Sequence, residues 1–315
     1  MKVLVTGGGG FLGSALCRAL AARGDRVTAF DLRFAPAFEA EERDGLTLRR
    51  GDITDPSHVM SAVRSAAPDA IIHAAAIVGI KPAVESPRNV LRVNLGGSLN
   101  VFEAMQVFGV RRVIHMSSEE VYGDIPSGVA TEDHPTFPVM PYGVTKLATE
   151  HLGRSFRDIH GIECINLRIS WVYGMSLPRP RVPKVLVEAI AEGRPFYIPE
   201  GGDSRMDHTY EDDFVAGTLL ALDHKNHPFD VYNLASGVAP TLKELVDVLR
   251  SIEPTADISV GPGVYKHNET WPLPEKGALD SSRAARVFGY RPKYDLRRGL
   301  EAYLSACRAA RRAAA

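Results

Sequence analysis

Cysteine is scarce: the 315 residues hold three, Cys17, Cys164 and Cys307, widely separated and without CxxC or Cys/His spacing. So few leave no disulfide framework and no structural zinc site, and a reducing cytoplasm is the expected setting. The histidines are scattered without metal spacing too, so no metal is expected. An excess of one charge is also missing, since 37 Lys plus Arg face 38 Asp plus Glu. That balance gives no field for drawing in nucleic acid or an acidic membrane. Long apolar runs are absent as well. Val3-Leu4-Val5 gives way to glycine, too short for a signal peptide, and no segment reaches the ~18 apolar residues of a membrane span. The expected partner is therefore a small-molecule substrate, with no nucleic acid and no membrane. What the chain does have is an ordinary globular balance, 45% hydrophobic and 24% charged, and 28 glycines, four of them consecutive at Gly7 to Gly10.

The first half alternates short apolar or β-branched runs with longer helical patterns. Strands are expected at Lys2 to Thr6, Arg26 to Asp31, Leu46 to Arg50, Ala70 to Ala74 and Arg111 to Ser117. Helices are expected at Leu12 to Arg23, Pro56 to Ala66, Val90 to Phe108 and Tyr142 to His160. Near-continuous apolar strands separated by helices imply an α/β fold with a doubly wound parallel sheet, Rossmann-like. From Trp171 the pattern loosens, and prolines at 178, 180 and 183 interrupt regular structure. Helices follow at Lys184 to Glu192, Glu211 to Asp223, Thr241 to Ser251, Ser281 to Phe288 and Leu296 to about Cys307, with strands at Phe196 to Pro199 and Val231 to Leu234. Residues 1–170 read as the cofactor domain, to which 207–237 returns. A smaller C-terminal α/β substrate-binding region takes 171–206 and 238–307, and 308–315 reads as a frayed tail.

Thr6-Gly7-Gly8-Gly9-Gly10-Phe11-Leu12-Gly13 follows an expected strand and opens an expected helix, the setting of a dinucleotide-binding loop. Gly7 suits a tight turn, Gly10 lets backbone approach a pyrophosphate, and Gly13 permits close packing of helix on strand. Gly8 and Gly9 read as permissive filler. The free amides of the helix start, at Phe11 and Leu12, face the negative charge with the positive end of the helix dipole. Asp31 ends the second strand, where a carboxylate accepts from ribose hydroxyls and repels a 2′-phosphate, favouring NAD over NADP. Arg33 is either a receiver for that phosphate or a surface residue. Asp52, with Ile53, either meets the adenine or caps the helix after Pro56.

Tyr142-Gly143-Val144-Thr145-Lys146 sets a phenol and an ammonium four residues apart on one helix face. A nearby positive charge favours phenolate and turns a tyrosine into a usable acid or base. Met116-Ser117-Ser118-Glu119-Glu120-Val121-Tyr122-Gly123 precedes it at the carboxyl end of a strand, where open α/β sheets bind ligands. With these residues, the chain resembles an extended short-chain dehydrogenase/reductase of the NAD-dependent epimerase/dehydratase family, from Lys2 to about Leu304. The likeness also rests on His73 to Ala76, Asn94, Arg168 to Gly174, Asn233 to Gly237, and Asp280 to Arg283 with Phe288 to Pro292. It implies Ser118, Tyr142 and Lys146 as a catalytic triad, with bound NAD accepting a hydride from a substrate carbinol. It further implies Ala74, Ala75 and Ala76 as a backbone wall beside the cofactor, Asn94 as a brace of sheet or pocket, and a homodimer through Val90 to Phe108 and Tyr142 to His160.

Reaction type turns on the neighbours of Ser118. Glu120 matches the glutamate of the dehydratase and decarboxylase branches, and Glu119 stands where dehydratases have Asp; either can handle protons beside a transient ketone or simply begin the next loop. Two departures count against a nucleotide diphosphate: Trp171 replaces the family's Asn in Arg-x-x-Asn-x-x-Gly, and Met206 replaces the Arg before Asp207, with Arg205 one place early. Arg179, Arg181 and Lys184 form a cationic loop that is either solvated or anion-binding, while Trp171 and Trp271 can stack on a sugar or serve packing. The leading expectation is an NAD-dependent epimerase or dehydratase of a sugar, sugar nucleotide or sugar acid. The alternatives are a dehydrogenase of a smaller hydroxy compound, and a non-catalytic NAD sensor or scaffold.

Overall fold

The structure, a computed structural model, describes residues 1–314 except 127, 269, 270 and 273. Its strands are β1 (Lys2–Thr6), β2 (Arg26–Asp31), β3 (Leu46–Arg50), β4 (Ala70–His73), β5 (Arg112–Ser118), β6 (Val129–Ala130), β7 (Glu163–Ile169) and β8 (Trp171–Tyr173). They continue as β9 (Phe196–Ile198), β10 (His208–Tyr210), β11 (Val231–Leu234), β12 (Ile258–Val260), β13 (Lys266–Asn268), β14 (Trp271–Pro272) and β15 (Ala278–Leu279). The helices are α1 (Phe11–Ala22), α2 (Pro36–Glu39), α3 (Pro56–Ala66), α4 (Ile80–Glu85), α5 (Pro87–Val90) and α6 (Gly97–Phe108). After them come α7 (Pro141–His160), α8 (Lys184–Glu192), α9 (Glu211–Asp223), α10 (Leu242–Ile252), α11 (Ser282–Phe288) and α12 (Leu296–Ala314).

Seven strands make one parallel sheet in the order β11-β7-β5-β4-β1-β2-β3. From β1 the chain winds outward to β3, then restarts at β4 and winds the other way, so the order reverses between β1 and β4. Crossovers of opposite sense there leave a crevice at the carboxyl ends of the strands. Burial on both faces explains the apolar runs. On one face Leu16 and Leu20 of α1, Phe214 and Leu222 of α9 and Phe288 of α11 pack on the sheet. On the other, Val59 and Val63 of α3 join Val101, Phe102 and Met105 of α6. A separate core joins Leu186 and Ile190 of α8, Leu245 and Leu249 of α10, and Leu300 and Tyr303 of α12. Among the described residues no helix is long and apolar enough to cross a membrane.

Besides several short elements that the sequence reading does not contain, three departures from it stand out. β7 was not anticipated, because Asn166 and Arg168 interrupt its apolar pattern. Both are buried but partnered: Asn166 Oδ1 meets His115 Nδ1 at 2.9 Å, and Arg168 pairs with Glu150 at 2.7 Å. The helix expected over Val90 to Phe108 changes pitch, its first part being a π-helical stretch, Leu91–Gly96, that carries Asn94. The tail expected to fray at 308–315 instead continues α12 to Ala314, its alanines favouring helix. Arg308 there pairs with Glu253 at 2.5 Å, and Arg311 with Glu192 at 3.2 Å.

Candidate active site

β1 delivers the glycine loop to the crevice. Gly7 turns at φ +70°, and a Cβ there would lie 2.6 Å from the Ala75 nitrogen. The backbone of Ala74 and Ala75 therefore lies against the loop, tied to it by Ala74 N donating to Thr6 O at 3.0 Å; the partly buried Ala76 continues the stretch. A Cβ on Gly13 would collide with the Gly7 carbonyl oxygen. α1 starts on Gly10 with no side-chain cap, so the first-turn amides of Phe11, Leu12 and Gly13 lack intrahelical partners. This cradle, which side chains would fill, fits the pyrophosphate of a dinucleotide. Gly8 and Gly9 are not filler: a Cβ on Gly8 would sit 2.7 Å from Ala29 Cβ, and one on Gly9 would collide with Arg33 O.

Asp31 accepts from Gly9 N at 3.0 Å and from Arg33 N at 3.3 Å, which sets its carboxylate beside the loop at the end of β2. Burial raises its pKa against those amides. Arg33 itself is exposed. Asp52 turns back on Thr54, accepting from its amide and hydroxyl at 2.8 Å each, and the cap of α3 is Asp55 instead. Ile53 is buried against Gly97. Asn94 spends its whole amide on structure, exchanging hydrogen bonds with Ile77 at 2.8 and 3.1 Å and donating to Thr145 Oγ1 at 3.1 Å. It thereby ties the loop after β4 to α7.

Ser118 ends β5, and a single 3-10 turn, Glu119–Val121, follows. α7 packs so closely on this turn that a Cβ on Gly143 would collide with Glu120 O. That contact brings the Tyr142 phenol close enough to Ser118 for the serine hydroxyl to favour its ionised form. Lys146, one turn on, is buried, donates to Met116 O at 2.6 Å and lies 5.8 Å from the Tyr142 ring centroid. Burial pulls its ammonium down to about 8, against the pull of Glu150. Burial pushes the Tyr142 phenol up to about 12, against the influence of the Ser118 hydroxyl; Glu120 adds to the rise, and Arg179 and Arg181 oppose it.

The side of the site facing Glu119 and Glu120 comes from later segments. Arg181 lies over the Trp171 ring, and Arg179 donates to Val78 O. Of the cationic loop, only Lys184 turns away, donating to Leu177 O at 2.6 Å and pairing with Glu188 at 3.1 Å. Arg205 is engaged at Ala239 O, 3.1 Å away. The Trp271 side chain lies outside the described part of the structure. Glu119 is buried, with Lys276, Glu120, Asp207 and Arg181 around it, and burial raises its pKa despite the cations. Lys276 pairs with Glu120 at 3.0 Å. Sequence reasoning missed Lys276, His208 and Asp207. His208 sits edge-on to Trp171 and Tyr173 and opposite Trp171 in the β8–β10 register, a pairing that exists only in the folded chain. Asp207 accepts from Ser236 N at 3.0 Å, Gly237 N at 3.0 Å and Leu279 N at 3.1 Å.

A switch-point glycine loop and a serine, tyrosine and lysine gathered at the end of the fifth strand define an NAD-dependent enzyme of the extended short-chain dehydrogenase/reductase type. Residues 3–235 match the NAD dependent epimerase/dehydratase family, and the chain belongs to it. The UDP-glucose 4-epimerase of Mycolicibacterium smegmatis is 30% identical over 316 residues, 95% of this chain and 96% of the relative. The dTDP-glucose 4,6-dehydratase of Actinoplanes sp. is 29% identical, covering 95% of each. Among solved structures, the UDP-glucuronic acid 4-epimerase of Bacillus cereus, in complex with UDP-glucuronic acid and NAD, superposes with a TM-score of 0.85 at 28% identity, over 98% of this chain and all 100% of that one. The cofactor of this chain is NAD, as for its family.

Proposed function

We propose that the enzyme converts a sugar nucleotide by a cycle without net redox change, with Tyr142 as acid/base. The observation that carries this reading is the meeting of Tyr142, Ser118 and Lys146 at the carboxyl end of β5. When bound at the glycine loop, NAD supplies the hydride acceptor and donor. Ser118 and Tyr142 hold the reacting oxygen, Tyr142 moves its proton, and Lys146 keeps positive charge beside the phenol. Glu120 is suited to take a proton from the carbon next to the transient ketone, the step that dehydration requires. Asp31, Phe11, Leu12 and the wall of Ala74 to Ala76 position the cofactor; Arg179 and Arg181 receive the substrate's anionic part, and Trp171 offers a ring face to its sugar. The sugar-nucleotide class is supported by the relatives' substrates, against the departures at Trp171 and Met206. Exposed Leu99, Val107 and Phe108 on α6 with Val144 and Ile159 on α7 support a homodimer, which light scattering would measure.

The test is a panel of UDP-glucose, UDP-glucuronic acid and dTDP-glucose, with products read by nuclear magnetic resonance and NADH by absorbance. Turnover without accumulating NADH is expected, lost in Tyr142→Phe with NAD still bound. Steady NADH formation would instead identify a dehydrogenase, and turnover by Tyr142→Phe would overturn the assignment.

A further inference from the structure

Lys276 lies within ion-pair distance of two adjacent carboxyls in this site, the buried Glu119 and the partly buried Glu120. Lys276 Nζ stands 3.0 Å from Glu120 Oε1 and 3.9 Å from Glu119 Oε1, with side chains 7%, 18% and 2% exposed. Among the described residues neither carboxyl oxygen of Glu119 has a hydrogen-bond partner, and Lys276 Nζ meets the pair as an ion-pair contact without hydrogen-bond geometry. Lys276 is held in place from both sides. Before it, Glu275 N donates to Asp124 Oδ1 at 2.7 Å and Glu275 O accepts from Ile125 N at 2.8 Å. After it, Ala278 N donates to Gly128 O at 2.8 Å and Leu279 N reaches Asp207. The ammonium is thus delivered by backbone contacts that fix its height above the turn after β5.

We propose that Lys276 is a positioning residue that divides this pair, holding Glu120 as carboxylate and leaving Glu119 a neutral acid whose hydrogen bond is reserved for the substrate. Two ionised neighbours with a single close cation are costly in a buried site. The nearer carboxyl takes the ion pair, and the farther one sheds its charge by keeping a proton. The groups facing Glu119 are Lys276, Glu120, Asp207 and Arg181; those facing Glu120 include Lys276, Tyr142 and Arg181, and Asp124 also faces Lys276. A neutral carboxyl can donate as well as accept, and Glu119 directly follows Ser118. The inference rests on the reading of Ser118 and Tyr142 as the reacting centre, but the division itself is a property of the enzyme before substrate arrives.

Infrared difference spectroscopy of the NAD-loaded full-length enzyme, without substrate, tests it. At neutral pH the wild type is expected to show a protonated-carboxyl stretch that Glu119→Gln loses. Lys276→Met is expected to gain a second such stretch, assigned by its loss in the Lys276→Met, Glu120→Gln double variant, with the carboxyl titration of the pair moved up by at least about one pH unit. Lys276→Arg should keep the single band. If Lys276→Met does not fold, Lys276→Gln takes its place. Absence of the Glu119-dependent band, or a Lys276→Met spectrum identical to wild type, overturns the proposal. Neither result depends on turnover, so the proposed reaction stands or falls separately.

Discussion

Arg181 lays its guanidinium over the Trp171 indole, 3.6 Å from the ring centroid. The stack unites two residues that stand ten apart in sequence, in a site whose remaining charge includes Glu119 and Glu120. Arg181→Ala removes both the stack, about 2 kcal/mol when desolvated, and the cation proposed to meet the substrate. KM for the nucleotide sugar should rise about tenfold or more, the equivalent of about 1.4 kcal/mol. Arg181→Lys should rescue little, since an ammonium lacks the planar face. Steady-state kinetics on both variants check this, with Trp171 fluorescence as an independent monitor.

Burial holds the Tyr142 phenol up at about 12. In protein without nucleotide, ultraviolet titration of wild type minus Tyr142→Phe should therefore show no tyrosinate attributable to this residue at neutral or mildly alkaline pH. A difference appearing near the ordinary tyrosine value of about 10 would contradict the buried setting.

Gly13→Ala forces α1 away from Gly7 O. NAD affinity by calorimetry should fall about tenfold or more, with the melting temperature less affected because the sheet contacts of Leu16 and Leu20 remain. Gly7→Ala should be worse, since its left-handed turn adds about 1 to 2 kcal/mol of backbone cost to the collision with Ala75.

His208 is buried and its pKa pulled down to about 3, by burial and by Arg181. A depressed folded value contributes stability that is present above the unfolded pKa of about 6.5 and lost as pH falls towards the folded one. His208→Phe removes that dependence. Its unfolding free energy relative to wild type, read by denaturant titration, should rise as pH falls from about 6.5, with a limiting slope of about 1.4 kcal/mol per pH unit. A pH-independent difference would show that the ring is not held neutral.

Where function is written in consecutive residues, it was legible. The glycine loop, Asp31 and the Tyr142 to Lys146 helix are local patterns, and each lies in the element its period implies. β7 was invisible because its polar residues find partners only in the folded state, on β5 and α7. Lys276 was invisible for a stronger reason: its partners lie over 150 residues upstream, and no local spacing marks a lysine whose neighbours will be held by Asp124, Ile125 and Gly128. The cap of α3 is not Asp52 but Asp55, the residue directly before Pro56 at the first helical position.

The edge position of β11 has a consequence for anyone dividing the chain. Val231–Leu234 closes the outer side of β7 in parallel register, although the chain reaches it only after β8, α8 and β9. A fragment ending near residue 170 would keep the glycine loop and Tyr142 but leave β7 with a bare row of amides and carbonyls beside Leu167 and Ile169. Such an unprotected rim recruits other chains, so the fragment should be recovered as aggregate, whereas one extended through Leu234 carries its own cover.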